Sequence, residues 1–261
     1  MDRHARLSAL LDLLGRRGKV TVEELATELG ASTATVRRDL DHLAEQQLLT
    51  RTRGGAVAQN IAYDLPLRYK AARNAHEKGR IARAAAAMVA PGAVVGINGG
   101  TTTTEIARSL VARADLADSG DRASLTIVTN ALNIANELVV RPQVKIVVTG
   151  GVARPQSFEL TGPLGTHLLA EITLDVVFLG VDAVDPTRGA FAHNEGEACT
   201  NRLMTERADR VVVVSDSSKL GRTAFAHICP TTSIDMLLTD SGAAAEVVAR
   251  FDAGGVPVRA V

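Results

Sequence analysis

The feature that most constrains the fold is a regular alternation of two hydrophobic patterns after residue 78. Runs rich in β-branched apolar residues alternate there with segments that have helical spacing. The runs are 93–98, 125–130, 144–151, 175–182, 211–216, 234–240 and 256–261. Nearly continuous hydrophobicity is typical of strands that are buried on both faces. The sequence therefore predicts an α/β domain with a mainly parallel sheet, with room for a few antiparallel strands at its edge.

Polar and glycine-rich residues follow these predicted strands. In open α/β sheets the ligand lies at the carboxyl ends of the strands, so we expect these residues to converge on one crevice. Taken singly, each segment is as well explained by turn formation in a loop. The candidate ligand-binding residues are Asn98, Gly100, Thr101, Thr102, Thr103, Thr129, Asn130, Gly150, Gly151, Asp182, Glu197 and Lys219.

The segment GINGGTTTTEIA is the most informative of these strand ends. A predicted strand leads into two glycines and four threonines, and a helix is expected to begin near Thr104. Backbone N–H groups at a helix N-terminus favour an anion such as a phosphate. The segment has neither a Walker A lysine nor a G-x-G-x-x-G fingerprint, which argues against a nucleoside triphosphate or a dinucleotide. It predicts a site for a phosphate group on a small metabolite.

Three candidate residues suit the remainder of such a ligand. Lys219 offers an ammonium to a phosphate or a sugar hydroxyl, and Asp182 offers a carboxylate to hydroxyl groups. Glu197 opens a predicted helix, so it is either a ligand contact or a favourable charge at the helix N-terminus.

Residues 1–50 show a different pattern, because three apolar stripes with helical spacing follow one another there. Thr21 with Glu24 predicts a capping box at the second helix, and Ser32 can cap the third. Gly30 separates these two helices, which predicts a helix-turn-helix. The stripes are Leu7, Leu10, Leu11 and Leu14; Val22, Leu25, Ala26 and Leu29; and Val36, Leu40 and Leu43.

The third helix carries short polar residues followed by two arginines, which suits a DNA major groove. Ser32, Thr33 and Thr35 are short enough to approach base edges, while Arg37 and Arg38 can reach guanine edges or phosphates.

The segment LLTRTRGGAVA follows this helix and predicts a strand, a Gly-Gly turn and a return strand. Arg51 and Arg53 would then lie on a wing beside the DNA backbone. The alternative is a three-helix structural subdomain whose arginines are only solvated.

The N-terminal part resembles the DNA-binding domain of the DeoR family of bacterial transcriptional regulators. The resemblance rests on S-x-x-T-V-R-R-D-L at residues 32–40 and R-x-R-G-G-A at residues 51–56. It implies that residues 32–40 begin the recognition helix. It also implies that the protein binds double-stranded operator DNA as a homo-oligomer.

The C-terminal part also resembles that family, whose sensor domain is similar in fold to ribose-5-phosphate isomerase. The resemblance implies a pocket for a phosphorylated sugar or a related metabolite. Asn98 departs from the family, which often has aspartate there; the change removes a charge repulsion near phosphate but also a hydroxyl acceptor. The matching segments are 100–102 (GTT), 128–130 (VTN), 150–151 (GG), 178–182 (FLGVD), 197–198 (EA) and 216–219 (DSSK).

Composition further restricts the kinds of partner, cellular location and cofactor that we expect for this protein. The chain of 261 residues has a formal net charge of +0, so any charge that binds DNA must be local. The longest apolar stretch is split by Pro91 and Gly92, and the N-terminus lacks a cleavage site, so we expect a cytoplasmic protein without a membrane span. Cys199 and Cys229 form no C-x-x-C pair, so we expect no disulfide, structural metal or other cofactor.

Together these patterns predict a winged helix-turn-helix at residues 1–57, a linker at 58–77 and an effector-binding α/β domain at 78–261. The predicted function is a repressor of a carbohydrate-catabolism operon that responds to a phosphorylated sugar. The alternative is a sugar-phosphate isomerase with an accessory DNA-binding domain. In that alternative, Asp182 or Glu197 is the base and Lys219 is the electrostatic stabiliser.

Overall fold

The computed structural model describes residues 2–46, 48–58, 67–70, 73–116 and 124–261. The chain forms two compact units, residues 1–73 and residues 74–261. Residues 59–66 and 71–72 of the predicted linker lie outside the described part of the chain.

The first unit is a winged helix-turn-helix. Its elements are α1 (Arg3–Arg17), β1 (Lys19–Thr21), α2 (Val22–Leu29), α3 (Thr33–Glu45), β2 (Thr50–Thr52), β3 (Gly55–Val57) and α4 (Leu67–Lys70). The three strands form an antiparallel sheet in the order β1-β3-β2. The capping box of Thr21 with Glu24 is present, and Ser32 caps α3. The predicted stripes of leucine and valine pack together as the core of this unit.

The wing differs in detail from the expected Gly-Gly turn. Arg53 and Gly54 form the turn, while Gly55 lies inside β3. A Cβ atom on Gly55 would lie 1.9 Å from the carbonyl oxygen of Val20 in β1. Gly55 is therefore required by the close approach of a third strand, β1, which the sequence did not predict because it has only three residues.

The second unit is built on a seven-stranded sheet in the order β15-β14-β12-β9-β4-β5-β6, and all neighbouring strands are parallel. The predicted parallel sheet is confirmed. Its strands are β4 (Val94–Ile97), β5 (Leu125–Thr129), β6 (Val144–Val148), β9 (Val176–Gly180), β12 (Val211–Val214), β14 (Met236–Thr239) and β15 (Val258–Ala260). Its helices are α5 (Ala75–Ala86), α6 (Thr101–Val111), α7 (Leu132–Leu138), α8 (Thr166–Ala170), α9 (Glu195–Glu206) and α10 (Ala245–Ala253).

The expectation of antiparallel strands at the edge of this sheet is wrong. Antiparallel pairing occurs instead in two small separate sheets. One contains β10 (Ala183–Asp185), β11 (Gly189–Ala192) and β13 (Ala226–Cys229). The other is a hairpin of β7 (Val152–Ala153) and β8 (Leu160–Thr161), here called the β7–β8 hairpin.

Successive residues of a central strand pack into different cores. Phe178 belongs to one apolar cluster together with Ile106 of α6, whereas Val177 packs in another with Met204 of α9. Both faces of the sheet are therefore covered, as the continuous hydrophobicity predicts. Only the strand ends remain for polar chemistry. Among the described residues, no helix is long and apolar enough to cross a membrane.

Candidate functional site

Helix α3, the predicted recognition helix, presents two arginines to solvent. Val36 and Leu40 are buried, while Arg37 and Arg38 are exposed on the outer side of the helix. This is the placement expected for side chains that contact a DNA groove.

The polar residues at the start of α3 have different roles. The Ser32 hydroxyl accepts a hydrogen bond from the Thr35 backbone N–H at 3.1 Å, and the two side-chain hydroxyls lie 2.9 Å apart. Ser32 and Thr35 thus form the helix cap, while Thr33 is exposed beside them. The cap fixes the end of the helix that the DNA-binding hypothesis places nearest the bases.

Asp39 holds this helix in place, and the sequence analysis missed it. Its carboxylate is buried and lies 2.6 Å from the Arg6 Nε of α1. The residue follows Val36 by three positions, so it lies on the same inward stripe. That spacing was the signal that could have identified it. The ion pair fixes α3 against α1.

The two arginines of the wing are also unlike each other. The Arg51 Nε lies 2.7 Å from the Asp41 Oδ1, and its Nη1 donates to the carbonyl of Gly55 at 2.6 Å. Arg53 is exposed at the tip of the turn. Arg51 therefore connects the wing to α3, whereas Arg53 is presented to solvent.

At the carboxyl edge of the large sheet, α6 begins at Thr101, three residues before the predicted start. Gly100 adopts a φ of 139°, and its carbonyl accepts hydrogen bonds from the hydroxyls of Thr103 at 3.0 Å and Thr104 at 2.7 Å. No described side chain caps the first turn of α6. Thr103 thus shapes the loop before α6. Thr101 and Thr102 lie at the N-terminus of α6, which no described side chain caps.

Asn98 and Thr129 have their side-chain partners within the protein. The Asn98 Oδ1 accepts from the Gly180 N–H at 2.7 Å, and its Nδ2 donates to the Gly180 carbonyl at 2.9 Å. The Thr129 hydroxyl accepts from the Ala131 N–H at 3.0 Å. An aspartate at position 98 would lose the bond to the Gly180 carbonyl. Asn98 thus joins the ends of β4 and β9, and the Thr129 side chain fixes the turn after β5.

Gly150 and Gly151 turn the chain from β6 into the β7–β8 hairpin. Both have positive φ, at 82° and 126°. A Cβ atom on Gly151 would lie 2.6 Å from the Thr161 carbonyl oxygen. Their positive φ lets the chain turn out of β6, and the missing side chain of Gly151 lets the chain pass close to β8.

Three more candidates, Asp182, Glu197 and Lys219, lie in a charged cluster. The Lys219 Nζ is 3.9 Å from the Asp182 Oδ1, and the His193 N–H donates to the Asp182 Oδ2 at 2.9 Å. Glu197 pairs with Arg154 of the hairpin, with 3.1 Å between the Nη1 and Oε1 atoms. The sequence analysis did not identify Arg154. Glu197 also lies in the first turn of α9, so both of its expected roles are compatible with its position.

A buried carboxyl group, that of Glu159, lies next to this cluster and was also missed. The Asn130 Nδ2 donates to the Glu159 Oε2 at 2.8 Å and to the Asn201 Oδ1 at 3.2 Å. Burial, with the nearby charges of Glu197 and Asp182, raises the pKa of Glu159 to about 8. Asn130 is therefore linked to an acid that is mostly neutral at physiological pH.

A winged helix-turn-helix with exposed arginines, joined to an α/β unit with polar strand ends, defines a DNA-binding regulator with a sensor domain. The chain belongs to the DeoR family of transcriptional regulators. The DeoR-like helix-turn-helix domain matches residues 6–62, and the DeoR C-terminal sensor domain matches residues 73–241.

Several relatives are similar over nearly the whole chain. A protein of Escherichia coli O157:H7 named for repression of the aga operon is 36% identical over 256 residues, covering 97% of this chain and 92% of the relative. The glycerol-3-phosphate regulon repressor of Escherichia coli (strain K12) is 31% identical and covers 92% of each chain. A ribose 5-phosphate isomerase A structure from Methanocaldococcus jannaschii covers 56% of this chain and 54% of its own, with a TM-score of 0.41 and 20% identity. The relatives identify this protein as a regulator rather than an enzyme.

Proposed function

We propose that this protein represses a carbohydrate-catabolism operon and that a phosphorylated sugar or related metabolite releases it from operator DNA. The relatives named as repressors of the aga operon and of the glycerol-3-phosphate regulon support the type of target. Operator DNA as the target implies action in the cytoplasm.

The observation that carries the effector proposal is the uncapped N-terminus of α6 at the same sheet edge as Lys219. The N–H groups of the first turn and the nearby ammonium suit a phosphate, while Asp182 and Glu197 suit hydroxyl groups. The ligand must favour one state of the protein, by roughly 1 to 3 kcal/mol in typical couplings. An effector that prefers the DNA-free state would relieve repression.

The direct test is a mobility-shift titration of the full chain on the DNA upstream of its own gene. The titration is repeated with a panel of aldose and ketose phosphates and with the unphosphorylated sugars. We expect one phosphate ester to release the DNA and its parent sugar to have no effect. Release by the parent sugar alone would contradict the phosphate proposal, and activation of transcription by the bound protein would contradict repression.

Truncation of either arginine on α3 should weaken operator binding. We expect Arg37→Ala or Arg38→Ala to reduce affinity by about 1 to 3 kcal/mol, because each loses a contact with a base edge or a phosphate. Fluorescence anisotropy with labelled operator measures the change. Arg207→Ala, which removes an exposed arginine in the other unit, is the control. Unchanged affinity in both α3 variants would contradict the assignment of the recognition helix.

We also propose that the protein acts as a homo-oligomer. In the described residues, seven of the eight exposed large hydrophobic side chains lie between positions 132 and 164, on and around the sheet-edge strand β6. Exposed apolar side chains that cluster in this way are typical of an interaction surface. Val152 and Leu164 are two of the most exposed, at 67% and 71%.

Charge on this surface should therefore separate the subunits. The double substitution Val152→Asp with Leu164→Asp is expected to lower the molar mass measured by light scattering to that of one chain. Phe225→Asp, at an exposed apolar residue outside the region, is the matched control. A wild-type protein that is already monomeric at micromolar concentration would refute the oligomer proposal.

A further inference from the structure

The position of Glu159 makes it part of the loop that the phosphate proposal uses. A Cβ atom on Gly99 would lie 2.3 Å from the Glu159 Cγ and 2.5 Å from its Oε1. The carboxyl group therefore lies directly against the backbone that leads into α6. Only 4% of the residue is exposed, so its surroundings are almost entirely protein.

The two carboxyl oxygens of Glu159 are in different situations. Oε2 accepts from the Asn130 Nδ2 at 2.8 Å and from the Asn201 Nδ2 at 3.4 Å. Within the described part of the chain, no donor contacts Oε1. Because Oε2 is occupied by two amide donors, a proton on this acid resides at Oε1, beside Gly99.

The side-chain oxygen of Asn130 is a buried polar atom without a partner among the described residues. The Asn130 side chain is fully buried, and its Oδ1 has no hydrogen-bond partner among the described residues. Buried polar atoms in native proteins are normally satisfied, and each exception requires an explanation. A protonated Oε1 on Glu159 and the Oδ1 of Asn130 supply one donor and one acceptor. A sugar hydroxyl, which both donates and accepts, can pair with the protonated Oε1 of Glu159.

We infer that the Glu159 carboxyl, which lies against the loop before α6, is a specificity-determining contact for a hydroxyl group of the phosphorylated effector. This inference rests on the proposed function, because it assigns a further contact to the same pocket. The neutral form matters because an ionised carboxylate beside the α6 loop would repel a phosphate.

The surrounding charges support a neutral Glu159. Burial is the first cause that raises its pKa to about 8, followed by the charges of Glu197 on α9 and Asp182 after β9. Arg154 lies close to Glu197, while Lys219 and His193 lie close to Asp182, so these bases are paired with the neighbouring acids. As pH rises through about 8 Glu159 becomes negative, so binding of an anionic effector should weaken there.

Calorimetric titration of the full-length protein tests this inference. The probes are inorganic phosphate and a panel of aldose and ketose phosphates, each with its single-deoxy analogues. The variants are Glu159→Ala, Glu159→Gln and, as a control, Glu171→Gln at an exposed acid of the same unit. Melting temperature and DNA affinity without effector report whether each variant is folded.

We expect the wild type to prefer one sugar phosphate over one of its deoxy analogues by about tenfold or more. Glu159→Ala should reduce this preference towards unity but leave the affinity for inorganic phosphate unchanged. The wild type should bind the sugar phosphate about tenfold more weakly at about pH 9 than at about pH 7. Glu159→Gln cannot ionise at this position. It should therefore fold normally and bind the sugar phosphate without this dependence on pH.

The possible failures are distinguishable. If both Glu159 variants keep the wild-type preference and pH profile, the assignment of Glu159 is overturned and the proposed function stands. If Glu159→Ala does not fold, Glu159→Gln alone decides through its pH profile. If the wild type binds no phosphorylated sugar at any pH, the effector proposal and the inference about Glu159 both fall.

Discussion

Thr102→Asp is expected to abolish the effector response and leave operator binding by the unliganded protein intact. Thr102 lies in the uncapped first turn of α6, where the proposed phosphate binds. Two like charges about 4 Å apart at an effective dielectric constant of about 20 repel by about 4 kcal/mol, which corresponds to a loss of about a thousandfold in affinity. The measurement is release of operator DNA by the effector in a mobility-shift assay.

Two further variants make this result specific. Thr101→Asp places the charge at a more exposed position of the same turn, which keeps the test available if the buried position does not tolerate a carboxylate. Ser109→Asp adds the same charge to the same helix, but about 10 Å farther along its axis. We expect Thr101→Asp to lose the response and Ser109→Asp to keep it. If Thr101→Asp and Thr102→Asp both respond normally to the effector, the phosphate does not bind at the N-terminus of α6.

Asp39→Ala is expected to destabilise the winged helix-turn-helix by about 3 kcal/mol and to weaken operator binding strongly. The substitution removes the acid that lies 2.6 Å from the Arg6 Nε and leaves a mostly buried guanidinium without its partner. Breaking one side of a buried ion pair is costly for this reason. Because the protein has two units, calorimetry should show a lower melting transition for the first unit only.

Asp41→Ala provides the matched control for this prediction. Asp41 lies on the same helix and pairs with Arg51, but 59% of its side chain is exposed. Exposed ion pairs contribute about 0 to 1 kcal/mol, so this variant should be nearly as stable as the wild type. Equal losses of stability in the two variants would mean that the buried Asp39 pair has no special structural role.

The sheet was predictable because the amino-acid composition of each strand reflects its burial on both faces. Val211–Val214 consists entirely of valine, and such a run is stable only where both faces are buried. The helix-turn-helix was predictable for a related reason, since its capping residues and apolar stripes are local in sequence.

The candidate site was predictable only in part, because its chemistry depends on pairs that are distant in sequence. Glu159 is 29 positions from Asn130 and 42 from Asn201. No local pattern records such pairs. Asn98 shows a second kind of distant contact, since it was predicted as a ligand contact from its position at a strand end, and its two side-chain polar atoms bind Gly180. Residue type and position at a strand end indicated the site, but only the fold shows which atoms are already engaged.

The bonds of Asn98, Thr103 and Thr104 have a consequence for the thermodynamics of sensing. They hold the loop before α6 to β9 and to the first turn of α6 in the absence of ligand. When a phosphate binds such a pre-organised loop, few additional bonds of the loop are immobilised. Binding therefore costs little conformational entropy. The same rigidity means that this loop changes little between states. If the proposed effector acts through a structural change, that change is then expected outside this loop, at the other contacts of the ligand.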